Sequence, residues 1–198
     1  MEIVYIVALE GELPQQTDMD IRYCGVGKVN AAHATMKAIA DGAKKIVNFG
    51  TAGLVKRNKG LEGLVQVSHI VQRDMQAEPQ APRGSTPFEV YADNHKIGLA
   101  PAIIEHGPIQ LLIGAEPVIR LGTGDSFVME HDEWFNKAGV DIVDMEAYAI
   151  AKCCALEGVE FECYKWISDF ADENAAETWE QNQADGAEAF LDLVKKRL

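Results

Sequence analysis

Acidic side chains recur where short apolar runs give out. Glu10 and Glu12 follow residues 3–9, Asp125 follows 118–121, Asp144 and Glu146 follow 141–143, and Asp169 follows 161–167. Carboxylates drawn from several such ends can converge on one site. The chemistry that wants such a set is cleavage of a glycosidic bond, which passes through an oxocarbenium-like state. One acid neutralises the leaving group and one base activates water. A third carboxylate that bonds sugar hydroxyls favours the cationic sugar electrostatically.

Each element also has a plainer reading. Asp144 and Glu146 in VDMEAYAIAKCC, residues 143–154, could complement the dipole of the helix that follows. Ser168-Asp169 could cap a helix, and Glu10 and Glu12 could be solvated loop charges. GVGKVN, residues 25–30, could be a tight strand-to-helix turn. It is not a Walker A loop, because Val29 follows Lys28, and not a full dinucleotide fingerprint, because Asn30 stands where the third glycine belongs. Singly these features are unspecific, and their joint placement is the signal. The histidines, His33, His69, His95, His106 and His131, lack metal-ligand spacing. No GxSxG elbow occurs. No cofactor is implied.

The elements that must position these groups alternate. Strands are expected at 3–9, 21–24, 45–49, 64–71, 118–121, 141–143 and 161–167. Helices are expected at 28–41, with Val29, Ala32, Met36, Ile39 and Ala40 on one stripe, and at 131–138 and 145–157. A last helix, about 175–197, sets Ala187, Phe190, Leu191 and Val194 on one side. Residues 74–96, with Pro79, Pro82, Pro87 and Gly84, break the rhythm and read as a long excursion. Apolar strands separated by helices predict one α/β domain over 1–198, three layers α/β/α around a mixed, mainly parallel sheet. In such sheets ligands sit beyond the carboxyl ends of strands. Three of those ends are glycine-rich (25–27, 50–53, 122–124), which lets backbone approach a ligand.

Composition bounds the rest. The chain has 198 residues, 47% hydrophobic and 25% charged, ordinary for a globular protein. With 18 Lys+Arg against 31 Asp+Glu the net charge is -13, a field that repels nucleic acid and anionic membranes. Cys24, Cys153, Cys154 and Cys163 have no zinc-like spacing and read as free thiols in a reducing cytoplasm. MEIVYIVAL reads as a strand rather than a secretory signal, and no run approaches the ~20 apolar residues of a membrane span.

Six segments together resemble one family: VALEGEL (7–13), GVGKVNAA (25–32), NFGTAGL (48–54), GTGDSFV (122–128), VDMEAYAIA (143–151) and ISDFADE (167–173). In this order they resemble the nucleoside phosphorylase/nucleosidase superfamily, and most its 5′-methylthioadenosine/S-adenosylhomocysteine nucleosidase branch. The resemblance implies Glu12 as the base that activates water and Asp169 as the acid at purine N7. It implies Met145 and Glu146 as the sugar clamp, with Thr51 near sugar and nucleophile. Phe127 would stack on the base, and the Val128 backbone would read its polar edge. Leu9, Val26 and Trp179 would line the pocket for the 5′-substituent. It also implies a small-molecule nucleoside as partner and a homodimer, with a loop at about 74–90 near the other subunit's pocket and Phe88 as its contact. Asp169 would then need an upward pKa shift by burial, while Glu12 would stay ionised.

The chain departs from the family pattern in places. Leu54 replaces a usual glycine, and Lys165-Trp166 stand where relatives often carry arginine and a small residue. Only a short interval separates Glu12 from the strand at 21. No arginine accompanies the glycine loops, since Asn48 and Lys28 stand there and Arg22 and Arg57 lie off the pattern. Water is therefore expected as nucleophile. Phosphorolysis, or nucleoside binding without catalysis, is the alternative. The 5′-group, and adenine against a 6-oxo purine, stay open at this level.

Overall fold

The computed structural model describes residues 2–55, 60–87, 102–103, 109–110, 118–130, 132–171 and 175–197. In chain order its elements are β1 (Ile3–Val7), β2 (Ile21–Tyr23), α1 (Lys28–Ala40), β3 (Lys45–Leu54), β4 (Gly63–Gln66), β5 (His69–Gln72), β6 (Ala102–Ile103) and β7 (Ile109–Gln110). Then come β8 (Arg120–Thr123), α2 (Glu133–Ala138), β9 (Ile142–Asp144), α3 (Ala147–Glu157), β10 (Glu160–Phe170) and α4 (Ala175–Arg197).

The sheet runs β2-β1-β3-β9-β8-β5-β7-β6, and β10 lies on β3 with β4 beyond it. The pairs β1–β2, β1–β3, β3–β10, β8–β9 and β5–β8 are parallel, so the sheet is mixed and mainly parallel. Its strands are apolar on both faces because both are covered. On one face α1 and α3 lay Ala31, Ala38, Ala147, Ile150, Ala151 and Cys154 against Val4, Ile6, Ile46, Ile142 and Phe161. On the other, Ala187 and Phe190 of α4 pack on Tyr5, Val7, Val47, Phe49 and Tyr164, with Phe190 stacked 4.3 Å from Phe49. Leu191 and Val194 flank that contact, as the spacing predicted. Among the described residues no helix is long and apolar enough to cross a membrane.

Four expectations need correction. The run at 64–71 is two strands. β4 pairs with β10 and β5 with β8, and Ser68 makes the switch by bonding Ile119 through backbone and hydroxyl. β3 and β10 run further than 45–49 and 161–167, so Thr51 and Asp169 lie inside strands rather than after them. Ser168-Asp169 is therefore no helix cap. On α1 the expected stripe is not the buried face. Val29 is 80% exposed and Met36 and Ala40 are also outward, while Ala31, Thr35 and Ala38 are buried. Small residues face α3 there because the two helices lie close together.

The described part of the excursion, 74–87, folds onto its own chain. Arg83 Nε donates to Arg73 O at 2.8 Å, its guanidinium pairs with Asp132 at 2.7 Å, and it lies 4.5 Å over the Trp134 ring.

Candidate active site

Strand ends and turns from seven parts of the chain meet around a cavity of about 230 Å³. Glu12, Glu146 and Asp169 line it together with Leu9, Val26, Thr51, Phe127, Val128 and Met145. Phe88 lies outside the described residues. Trp179 sits on α4, but its side chain lies outside them too.

Glu12 lies in the turn that follows β1, its N–H bonded to Leu9 O, and is buried. Its Oε1 accepts from the N–H of Thr51 at 2.8 Å and from the Thr51 hydroxyl at 2.7 Å, and its Oε2 accepts from Leu9 N–H at 3.2 Å. Gly50 faces this carboxylate, and a β-carbon there would stand 3.3 Å from Glu12 Oε1 and 3.5 Å from Lys165 Nζ.

Asp144 and Glu146 divide the work that their shared motif left ambiguous. Asp144 does serve the helix. Its Oδ2 accepts from Ala147 N–H at 2.9 Å and from Lys165 Nζ at 2.8 Å, and its Oδ1 accepts from the Thr123 hydroxyl at 2.6 Å. Glu146 occupies the N-cap position of α3 but does not cap it. Its carboxylate instead accepts from Gly27 N–H at 2.9 Å, at the start of α1. Gly27 has a φ of 98°, a conformation that favours glycine and turns that N–H toward Glu146. Burial pushes the Glu146 carboxyl up to about 7. Nearby Asp144 adds to the rise, and Lys165 and the Gly27 N–H oppose it.

Lys165 is fully enclosed. Burial works against its charge, but Asp144 and Glu146 outweigh it and hold the ammonium above its ordinary pKa. An enclosed cation among three carboxylates offsets part of their repulsion. Removing it would leave Asp144 uncompensated.

Asp169 depends on an irregularity of β10. The register against β3 shifts between Ile167, opposite Ala52, and Asp169, opposite Gly53. A bulge of this kind re-aims a side chain. The Ser168 hydroxyl donates to Asp169 Oδ2 at 2.7 Å. Gly53 is the matching allowance, because a β-carbon there would come within 2.8 Å of Asp169 Oδ1. Across the cavity Phe127 is 47% exposed on the loop after β8, next to Val128.

Arg73, at the end of β5, also lines the cavity and is buried. Sequence reasoning missed it. The rule that found the other residues, inspection of each strand end, points to it equally. Among the described residues no group of His, Cys, Asp or Glu is arranged to hold a metal ion.

Comparison with known proteins gives the chain's family. The family model of the phosphorylase superfamily matches residues 6–198. A 5′-methylthioadenosine/S-adenosylhomocysteine nucleosidase of Staphylococcus saprophyticus is 28% identical over 207 residues, covering 99% of this chain and 87% of its own. One from Exiguobacterium is 32% identical over 164 residues, 76% of this chain and 67% of its own. Among solved structures, Helicobacter pylori futalosine hydrolase superposes with a TM-score of 0.77 at 19% identity, covering 99% of this chain and 98% of its own. The H. pylori methylthioadenosine/S-adenosylhomocysteine nucleosidase with butyl-thio-DADMe-Immucillin-A bound superposes at 0.79 and 20% identity, covering 100% and 99%. These likenesses bear on the fold.

Proposed function

The chain belongs to the phosphorylase superfamily, as an N-glycosyl hydrolase, and we propose that it hydrolyses 5′-methylthioadenosine, S-adenosylhomocysteine or a related adenine nucleoside to free base and sugar. The observation that carries this reading is the meeting of Glu12, Glu146 and Asp169 on one cavity. In the proposed reaction Glu12 takes a proton from water as its oxygen bonds to C1′. The C1′–N9 bond breaks, its electron pair passes into the purine, and Asp169 supplies a proton at N7. Glu146 accepts from the ribose hydroxyls and favours the cationic sugar. Met145 and Thr51 pack about the sugar, Phe127 stacks on the base, the Val128 backbone meets its edge, and Leu9 and Val26 flank the 5′-group.

Water is favoured over phosphate because the cations beside the cavity are engaged. Lys165 is bound to Asp144 and Arg73 to the loop after β8. A phosphate dianion at the nucleophile position would also face the Glu12 carboxylate. The test is a nucleoside panel incubated with and without phosphate, with base and sugar separated by chromatography. Phosphate-independent release of adenine and free sugar is expected. Strict dependence on phosphate with ribose 1-phosphate as product would make the enzyme a phosphorylase, and binding without release would make it a nucleoside-binding protein. The resemblance also supports a homodimer, for which sedimentation velocity should give twice the chain mass.

A further inference from the structure

The loop that carries Phe127 and Val128 is held by one dipeptide at the end of β5. The parallel ladder between β5 and β8 runs one residue past the strands, with Arg73 N–H donating to Thr123 O at 2.9 Å. Beyond that point side chains replace backbone. Arg73 Nη2 donates to Gly124 O at 3.0 Å and also to Ser126 O, and Nη1 donates to the Ser126 hydroxyl at 3.0 Å. Asp74 Oδ2 accepts from Asp125 N–H at 2.8 Å, and its Oδ1 accepts from Lys28 Nζ at 2.6 Å. Lys28 closes the ring, its own N–H donating to Asp125 Oδ1 at 2.8 Å. Residues 124, 125 and 126 thus each have a backbone group bound by residue 73 or 74.

Room for this is built in. A β-carbon on Gly124 would stand 2.9 Å from Arg73 Cζ. Arg73 is itself fixed from behind, by Arg83 on its carbonyl. A guanidinium only donates, so it holds the carbonyls of Gly124 and Ser126 turned toward itself. Burying it is costly, and the bonds to the loop are what offset that cost. Phe127 belongs to none of the apolar clusters, so core packing does not fix its place and the backbone must.

We propose that Arg73 and Asp74 are positioning residues for the purine base: as a two-sided clamp they fix the 124–128 loop so that Phe127 and Val128 meet the base. What the loop meets rests on the nucleosidase reading, whereas the clamp itself rests on the geometry alone.

The test uses Arg73→Lys, Asp74→Ala and Asp74→Asn in the full chain. For the nucleoside cleaved best, KM and the Kd of free adenine should rise about tenfold or more in Arg73→Lys and Asp74→Ala, with kcat within about threefold of the parent. Lysine cannot span two carbonyls and a hydroxyl, so it should not rescue. Asparagine keeps an acceptor and should recover part of the loss. Asp74 is partly exposed and safe to change should Arg73 variants fail to fold. Unchanged KM and adenine affinity in folded Asp74→Ala would overturn the proposal, as would a loss confined to kcat. Amide exchange separates this from failure of the nucleosidase reading. Even if the parent binds no adenine, protection at 124–128 should fall in the variants, and unchanged protection would overturn the clamp.

Discussion

The two halves of the cavity are held in different ways. On the side proposed to meet the sugar, Glu12, Asp144, Glu146 and Lys165 are buried, Asp144 and Lys165 bind each other, and Glu12 and Glu146 accept from backbone N–H groups. On the side proposed to meet the base, Phe127 stands half exposed on a loop whose backbone is gripped by Arg73 and Asp74. Charges on the sugar side are coupled, so a change in one alters the others. The base side is mechanical, and changes there should move affinity before they move chemistry.

The largest effect that would sharpen this contrast comes from Glu12→Gln. It keeps shape and an acceptor for Thr51 but removes the base, so base release should fall ~10³-fold with nucleoside affinity nearly unchanged, measured by single turnover and calorimetry. Asp169→Asn should cost ~10²-fold in kcat/KM and also weaken free-base binding, because its proton serves N7. Near-normal turnover in either variant would dissolve the role assigned to that residue.

Acid should reveal the coupling next. The Glu146 carboxyl sits at about 7, so it protonates as pH falls through that value and can no longer accept from both sugar hydroxyls. Nucleoside affinity should fall by about tenfold per pH unit below that point and be flat above it. Stability should run the other way. A carboxyl whose folded pKa is raised stabilises the fold when protonated, so its contribution is full in acid and lost as pH rises through about 7. Comparing Glu146→Gln with the parent isolates both trends, and a Glu146→Gln affinity that keeps the parent's pH slope would contradict them. The smallest expected change is Gly53→Ala, whose β-carbon would push Asp169 aside. It should lower kcat/KM by about tenfold with Tm shifted by only a few degrees.

How much of this was legible in the sequence follows the same divide. The carboxylates of the proposed sugar side could be read because an apolar run stopping at an acid is visible without knowing the fold, whereas Lys165 lies inside β10 and showed only as a departure from the family pattern. Even there the division of labour was hidden. That Asp144 caps α3 while Glu146 reaches Gly27 depends on a partner 119 residues away. The bulge that aims Asp169 could not be read, because Ser168-Asp169 looks like a strand end or a helix cap until its register against β3 is known. Arg73 escapes notice because Gln72-Arg73-Asp74 looks like the start of a polar excursion. Its partners lie 51 to 53 residues on, and only the β5–β8 pairing brings them together. The face of α1 is misread for a related reason. Apolar periodicity picks Val29 and Met36, whereas the close approach to α3 selects Ala31 and Ala38.

The most direct measurement is a crystal structure of the Glu12→Gln variant soaked with 5′-methylthioadenosine. An intact nucleoside is expected, with its ribose hydroxyls on Glu146, its N7 at Asp169 and its ring on Phe127. A ligand lying elsewhere, or one that touches neither Glu146 nor Asp169, would contradict the account.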